Sequence, residues 1–172
     1  MSIFTDWGST EAERAQTYPC DRHLPDATAA MFRAVDVSAP PSLVFRWLCQ
    51  LRVAAYSYDR LDQGGRQSPR TRDPENEQLA IGQDVMSIFR LIEFERDRHL
   101  TLQLKETERY GQMTVTYQVT GKGSGSRLFV KIAALPRRQL IHGMLAVGDL
   151  VMMRKQLLTI KELAEQEAAS GA

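Results

Sequence analysis

The sequence predicts an α+β domain in which a curved antiparallel sheet packs against one long C-terminal helix, and three observations carry that prediction. Leu100, Leu102 and Leu104, then Met113, Val115, Tyr117 and Val119, then Leu128, Val130 and Ile132 each alternate with polar residues. Each run reads as a strand with one dry and one wet face. In the stretch 148–167, Leu150, Met153, Leu157, Ile160 and Ala164 recur every three or four residues, giving one apolar stripe with Arg154, Lys161, Glu162 and Glu165 elsewhere. The only other large apolar surface is the series of strands, so the sheet must cover that stripe.

The chain has 172 residues, enough for one domain with a sizeable core. Twenty-two basic residues against 21 acidic ones leave a net charge of +1, which excludes a global field for nucleic acid or an anionic membrane. Cys20 and Cys49 are too few and too far apart for a disulfide framework or zinc site, so free thiols in a reducing compartment are expected. Asp6, Glu11 and Glu13 stand where a signal peptide needs an apolar core, and no run of eighteen apolar residues exists. The expectation is a cytoplasmic protein with no stable membrane insertion and no cofactor.

Residues 1–29 read as an irregular extension with Ile3, Phe4 and Trp7 as its bulky anchors, Trp7 or Phe4 being expected to dock on the body. Met31 to Ser38 is the first strand, with Met31, Val35 and Val37 set against Arg33 and Asp36. Pro40 and Pro41 stop it and suit the first turn of a helix, where Leu43, Val44, Trp47, Leu48 and Leu51 follow with helical spacing. The region 52–79 is rich in turn signals, and its alternating charges read as a solvated loop. Asp84 to Arg96 is a long apolar run of unassigned register. The sequences Arg96-Asp97-Arg98 and 121–125 are hairpin connections. Leu140 to Val147, broken by Gly143 and Gly148, reads as a first turn of the closing helix or, in preference, as an apolar flap before a helix capped by Asp149. Too apolar to lie bare, it is expected to cover a cavity, meet the extension, or form a homodimer contact.

This order, with Val37-Ser-Ala-Pro-Pro-Ser-Leu-Val-Phe-Arg-Trp-Leu48 at its start, resembles the START-like (SRPBCC, Bet v 1-like) superfamily of helix-grip proteins. Tyr56-Ser-Tyr-Asp-Arg-Leu-Asp62, Leu79-Ala-Ile-Gly-Gln-Asp84 and Gly148-Asp-Leu-Val-Met-Met-Arg-Lys-Gln-Leu157 look like a bacterial branch described as polyketide cyclase/dehydrase-like. The resemblance spans roughly residues 30–167. It implies an extension over 1–29 packing on a single helix-grip domain over 30–172, and a pocket between sheet and helix for a hydrophobic small molecule. The motifs specify no reaction, so function must be argued from the site.

Three readings stay open: a carrier of a lipid-, polyketide- or quinone-like ligand; a cyclase or dehydratase using the same cavity; and an interaction protein with a filled core. Met113, Val115 and Tyr117 from one strand, Val130 from the next, and Met153 and Leu157 from the helix would line the pocket. Methionine suits an adaptable apolar surface, and Tyr117 brings the one hydroxyl on its strand's dry face. Tyr56 and Tyr58 read either as anchors that hold the long loop to the sheet or as candidates for a lid that reaches the ligand's polar tip. Arg90 is the candidate inward charge: Arg90 and Glu93 fall on opposite faces of a regular strand, so at most one points inward unless a bulge intervenes. His23, His99 and His142 lack metal spacing, and no catalytic triad can be assembled from residue order.

Overall fold

The computed structural model describes residues 5–57, 68–136 and 139–171, and the side chains of all these except 109, 110 and 139–151. Seven strands form one sheet in the order β1-β2-β7-β6-β5-β4-β3. They are β1 (Asp6–Trp7), β2 (Ala29–Val37), β3 (Asp84–Val85), β4 (Phe89–Glu95), β5 (His99–Leu104), β6 (Gly111–Lys122) and β7 (Gly125–Pro136). All pairings are antiparallel except β1 with β2, which is parallel. Helices α1 (Glu11–Arg14) and α2 (Pro19–His23) precede β2, α3 (Pro41–Cys49) follows it, and the C-terminal helix spans Gln139–Ser170.

The alternation of the late strands sets the sheet's faces. Leu100, Leu102, Val115, Tyr117, Leu128, Val130 and Ile132 all point to one buried face, where Leu157 and Ile160 of the C-terminal helix join the same cluster. Both helical residues have no exposed surface, and each contributes about 1.5–3 kcal/mol by burial. The far end of the helix is pinned by polar contacts. The Glu165 carboxylate accepts from the Ser38 amide at 2.7 Å, Lys161 donates to the Asp36 carbonyl at 2.7 Å, and Trp47 Nε1 donates to Glu167 at 3.0 Å. Arg72 also donates to Glu167 and to Glu77, so this loop charge clamps the helix rather than lying free in solvent.

The outer face of the sheet is covered too. Tyr18 stacks on Phe129 at 4.6 Å, and α2 lies over β5, β6 and β7. The Cys20 amide donates to Thr116 Oγ1 at 2.9 Å, and Thr114 Oγ1 donates to the Cys20 carbonyl at 3.1 Å. The threonines that alternation marks as the wet face are therefore a buried docking platform. The N-terminal segment is also more regular than two prolines and scattered apolar residues suggest. Thr10 and Glu13 form a reciprocal capping box on α1, and Pro19 opens α2. Trp7 packs against the main core; Phe4 lies outside the described residues.

Three expectations need correction. Asp84 to Arg96 is two strands, because Met86 and Ser87 turn with φ of 50° and 62° without a glycine to announce it. Arg33 is not on the wet face: it shares parity with Met31, Val35 and Val37, and none of its surface is exposed. Finally, no flap precedes the last helix. Helix runs unbroken from Gln139, so Gly148 and Asp149 lie inside it and position 149 is not the helix's N-terminus. A glycine within a helix costs only about 1 kcal/mol relative to alanine, and thirty surrounding helical residues absorb it. The side chains of Leu140 to Val147, the expected homodimer contact, lie outside those described. Among the described residues no helix is long and apolar enough to cross a membrane.

Candidate functional site

Register places one row of inward side chains across the sheet. Trp7 pairs with Arg33, Arg33 with Val130, Val130 with Tyr117, Tyr117 with Leu100, and Leu100 with Phe94. Arg33 and Tyr117 are thus two strands apart on the same face, about 10 Å between backbones. Both are buried, at 0% and 1% exposure. Arg33 Nη1 donates to the Phe32 carbonyl at 2.8 Å, which ties the guanidinium to its own strand.

Above this row the helix supplies the polar partner. Tyr117 donates to Gln156 Oε1 at 2.7 Å and its hydroxyl lies 3.6 Å from Met153 Sδ. Gln156 Nε2 donates in turn to the Ala55 carbonyl at 2.6 Å and to Met86 Sδ at 3.3 Å. Gln156 therefore joins the sheet, the helix, the segment after α3 and the β3–β4 turn while remaining only 4% exposed. Next to Ala55, Tyr56 has φ of 54°, a left-handed conformation that costs a non-glycine residue about 1–2 kcal/mol. The Gln156 bond to Ala55 and the edge contact of Tyr56 with Trp47, centroids 6.2 Å apart, hold it there.

The sequence candidates divide accordingly. Val115, Tyr117 and Val130 of the sheet's inner face and Leu157 of the helix are buried in one cluster, with Met113 and Met153 half-buried beside them. Tyr56 is buried on the same core, whereas Tyr58 lies outside the described residues. Arg90 is a correction. A β-bulge between Leu91 and Glu93 shifts the register, so Arg90 pairs with Gln103 and Glu93 with Thr101, both on the outer face. Arg90 is exposed there. Glu93 instead meets Arg22 at 2.6 Å, His23 at 2.7 Å and His99 at 3.3 Å, a clasp for α2. Among the described residues no group of three or more potential ligands is arranged to hold a metal ion.

Three contributors escaped sequence reasoning. Gln156 falls on the helix stripe, one turn from Met153 and Ile160, and spacing alone could have found it. Arg33 was legible by parity with Met31 and Val35. Met86 had no signal, because its turn contains no residue that marks one. An open depression of about 410 Å³, lined by Leu158, Lys161, Glu162, Glu165, Gln166 and Ala169, lies along the outer surface of the C-terminal helix. None of the interior residues takes part in it.

No protein-family model matches the chain, and no curated protein matches it. Solved structures do. A Nitrosospira multiformis protein aligns with a TM-score of 0.56 at 10% identity, covering 81% of this chain and 99% of the other. A Chromobacterium violaceum protein gives 0.53 at 13% identity, covering 79% and 96%. A Nitrosomonas europaea protein gives 0.53 at 14% identity, covering 80% and 95%. This is a START-like, helix-grip fold. At such identities the likeness speaks for architecture alone. The relatives are matched almost end to end while about a fifth of this chain falls outside the alignment.

Proposed function

We propose that the chain binds an apolar small molecule, lipid-, polyketide- or quinone-like in class, against the concave face of the sheet under the C-terminal helix. The observation that carries this reading is the Tyr117–Gln156 pair, a buried polar contact set in an apolar interior. An interior built for stability alone gains little from such a pair, since its hydrogen bond merely replaces bonds to water. Placed among the half-buried thioethers of Met86, Met113 and Met153, it offers a hydroxyl and an amide to fix the polar tip of a ligand whose body is held by burial.

Binding is favoured over catalysis by the distribution of titratable groups. Among the described residues, the row from Trp7 to Phe94 contains no carboxylate or histidine; Glu93, His23 and His99 lie on the outer face. Arg33 and Tyr117 can orient a ligand, but neither is a general base at neutral pH.

Native mass spectrometry of protein purified from its own host, followed by organic extraction, tests the reading. A co-purifying apolar molecule is expected, and Tyr117→Phe should lower its occupancy at unchanged fold. Protein that carries nothing, and that leaves the apolar dye Nile red unbound, would refute it.

A further inference from the structure

The N-terminal segment is held by two unequal anchors. Tyr18 to His23 is docked by the Phe129 stack and by buried bonds to Thr114 and Thr116. Thr5 to Ser9 is held more lightly. Its strand is two residues long and pairs on one side only, the Phe32 amide donating to the Thr5 carbonyl at 2.8 Å. Polar contacts add to it: Arg14 with Asp6 at 2.7 Å and Arg127 with Glu13 at 2.7 Å, both part-buried, and Arg127 with the Gly8 carbonyl at 2.6 Å.

Between these anchors the chain rounds the β2 edge of the sheet. Tyr18 lies on the outer face with Phe129, whereas Trp7 packs against the main core and Arg154 of the C-terminal helix sits 5.1 Å from its ring centroid. One indole thus lies against both the core and the helix, at the end of the row that holds Arg33 and Tyr117. Gly8 follows with φ of 76°, and a Cβ there would lie 2.3 Å from the Ala34 carbonyl oxygen. Only glycine lets the chain lie this close to β2.

The geometry points to a strap: Thr5–Ser9 gates the interior, Trp7 shutting the β2 side and lifting at Gly8 while Tyr18–His23 stays docked, to admit or release the apolar molecule. This rests on the interior-binding reading above. A gate lowers the barrier to exchange without changing either end state, so its removal speeds entry and exit together. A wall residue would change affinity through release alone.

Stopped-flow fluorescence with Nile red on the full chain separates these. Trp7→Ala and Gly8→Ala should each raise both kon and koff by about tenfold or more, with Kd changing less than about threefold, whereas Arg98→Ala at the far hairpin stays at the parental rates. Parental rates in both strap variants, or a change in koff alone, overturn the strap and leave the interior reading standing. Dye unbound by every variant and by the parent overturns both. Hydrogen exchange on the unsubstituted chain needs no ligand: the Phe32 amide should exchange about 100-fold faster than that of Val130 in the sheet centre. Equal protection of the two amides would also overturn the strap.

Discussion

Replacing Gln156 by leucine keeps the side chain's volume close and removes its polarity, so it tests whether the buried hub holds the interior together. The substitution takes an acceptor from the Tyr117 hydroxyl and a donor from the Ala55 carbonyl, both at the centre of the core. Each lost partner costs about 1–3 kcal/mol in a buried setting. Extra apolar burial by leucine returns about 1 kcal/mol. The net expectation is about 1–5 kcal/mol of destabilisation, and Tyr117→Phe should cost about 1–2 kcal/mol because it strips Gln156 Oε1 of the same bond. Both changes remove one shared interaction, so the double variant should lose about 1–2 kcal/mol less than the sum of the singles. Urea unfolding followed by tryptophan fluorescence reads all four proteins, with Trp47 in the core as reporter. Additivity to within about 0.5 kcal/mol would refute the claim that these groups are coupled. A Gln156→Leu protein more stable than the parent would refute the claim that the hub supports the fold.

Acid should weaken the N-terminal anchor. The hydrogen bond from Arg127 holds the Glu13 carboxyl at about 2, below its ordinary 4.5. A depressed folded value means stability present above the unfolded pKa and lost as pH falls from about 4.5 towards 2, by at most about 3 kcal/mol. Glu13→Gln should flatten acid unfolding curves in that window; an unchanged curve would refute the assignment. Glu167→Gln, which weakens the charge partner of Arg72 and Trp47, should free the end of the helix, seen as faster exchange of amides near Ala168 with those around Leu157 unaffected. Burial pushes the Cys20 and Cys49 thiols up to about 11 and about 12, so Ellman's reagent at pH 8 should modify both only at the rate of unfolding. Rapid labelling of either in the native protein would contradict its burial.

The parts legible in the sequence were those set by periodicity. The strands at 99–104, 111–122 and 125–136, and the helix stripe through Met153, Leu157 and Ile160, declare their faces by spacing alone, and the structure puts those faces together. Failures came where one residue changes a count. The bulge at Ile92 put Arg90 and Glu93 on the same, outer face, and a turn through Met86 and Ser87 split what looked like one strand. Gly143 and Gly148 suggested a break that the helix does not make, because local propensity is worth about 1 kcal/mol per glycine and a helix this long outweighs it. Charge misled in the opposite sense: Arg33 was set aside as a wet residue although its neighbours two positions away are dry.

These corrections bear on where chemistry can occur. Once Arg90 is outside and Arg33 inside, the concave row holds a cation at β2 and a phenol at β6, with the Gln156 amide above the phenol. The outer face, which alternation left to solvent, is covered by α2, so its threonines answer to the backbone of Cys20 and not to a ligand. Buried polar groups on the two faces therefore differ in kind. Thr114 and Thr116 bond to main chain that never leaves, whereas Gln156 reaches Tyr117, Ala55 and Met86 through one flexible side chain. A hub of that kind can exchange a partner by rotating an amide, and a bound hydroxyl or carbonyl at Tyr117 would do that. If a ligand is bound, Gln156 should turn from Tyr117 towards it, and the side-chain amide resonance of Gln156 should move on binding while that of Gln50, locked to Asp73 and Asn76, stays in place. A Gln156 signal unmoved by a bound apolar molecule would place that molecule away from the hub.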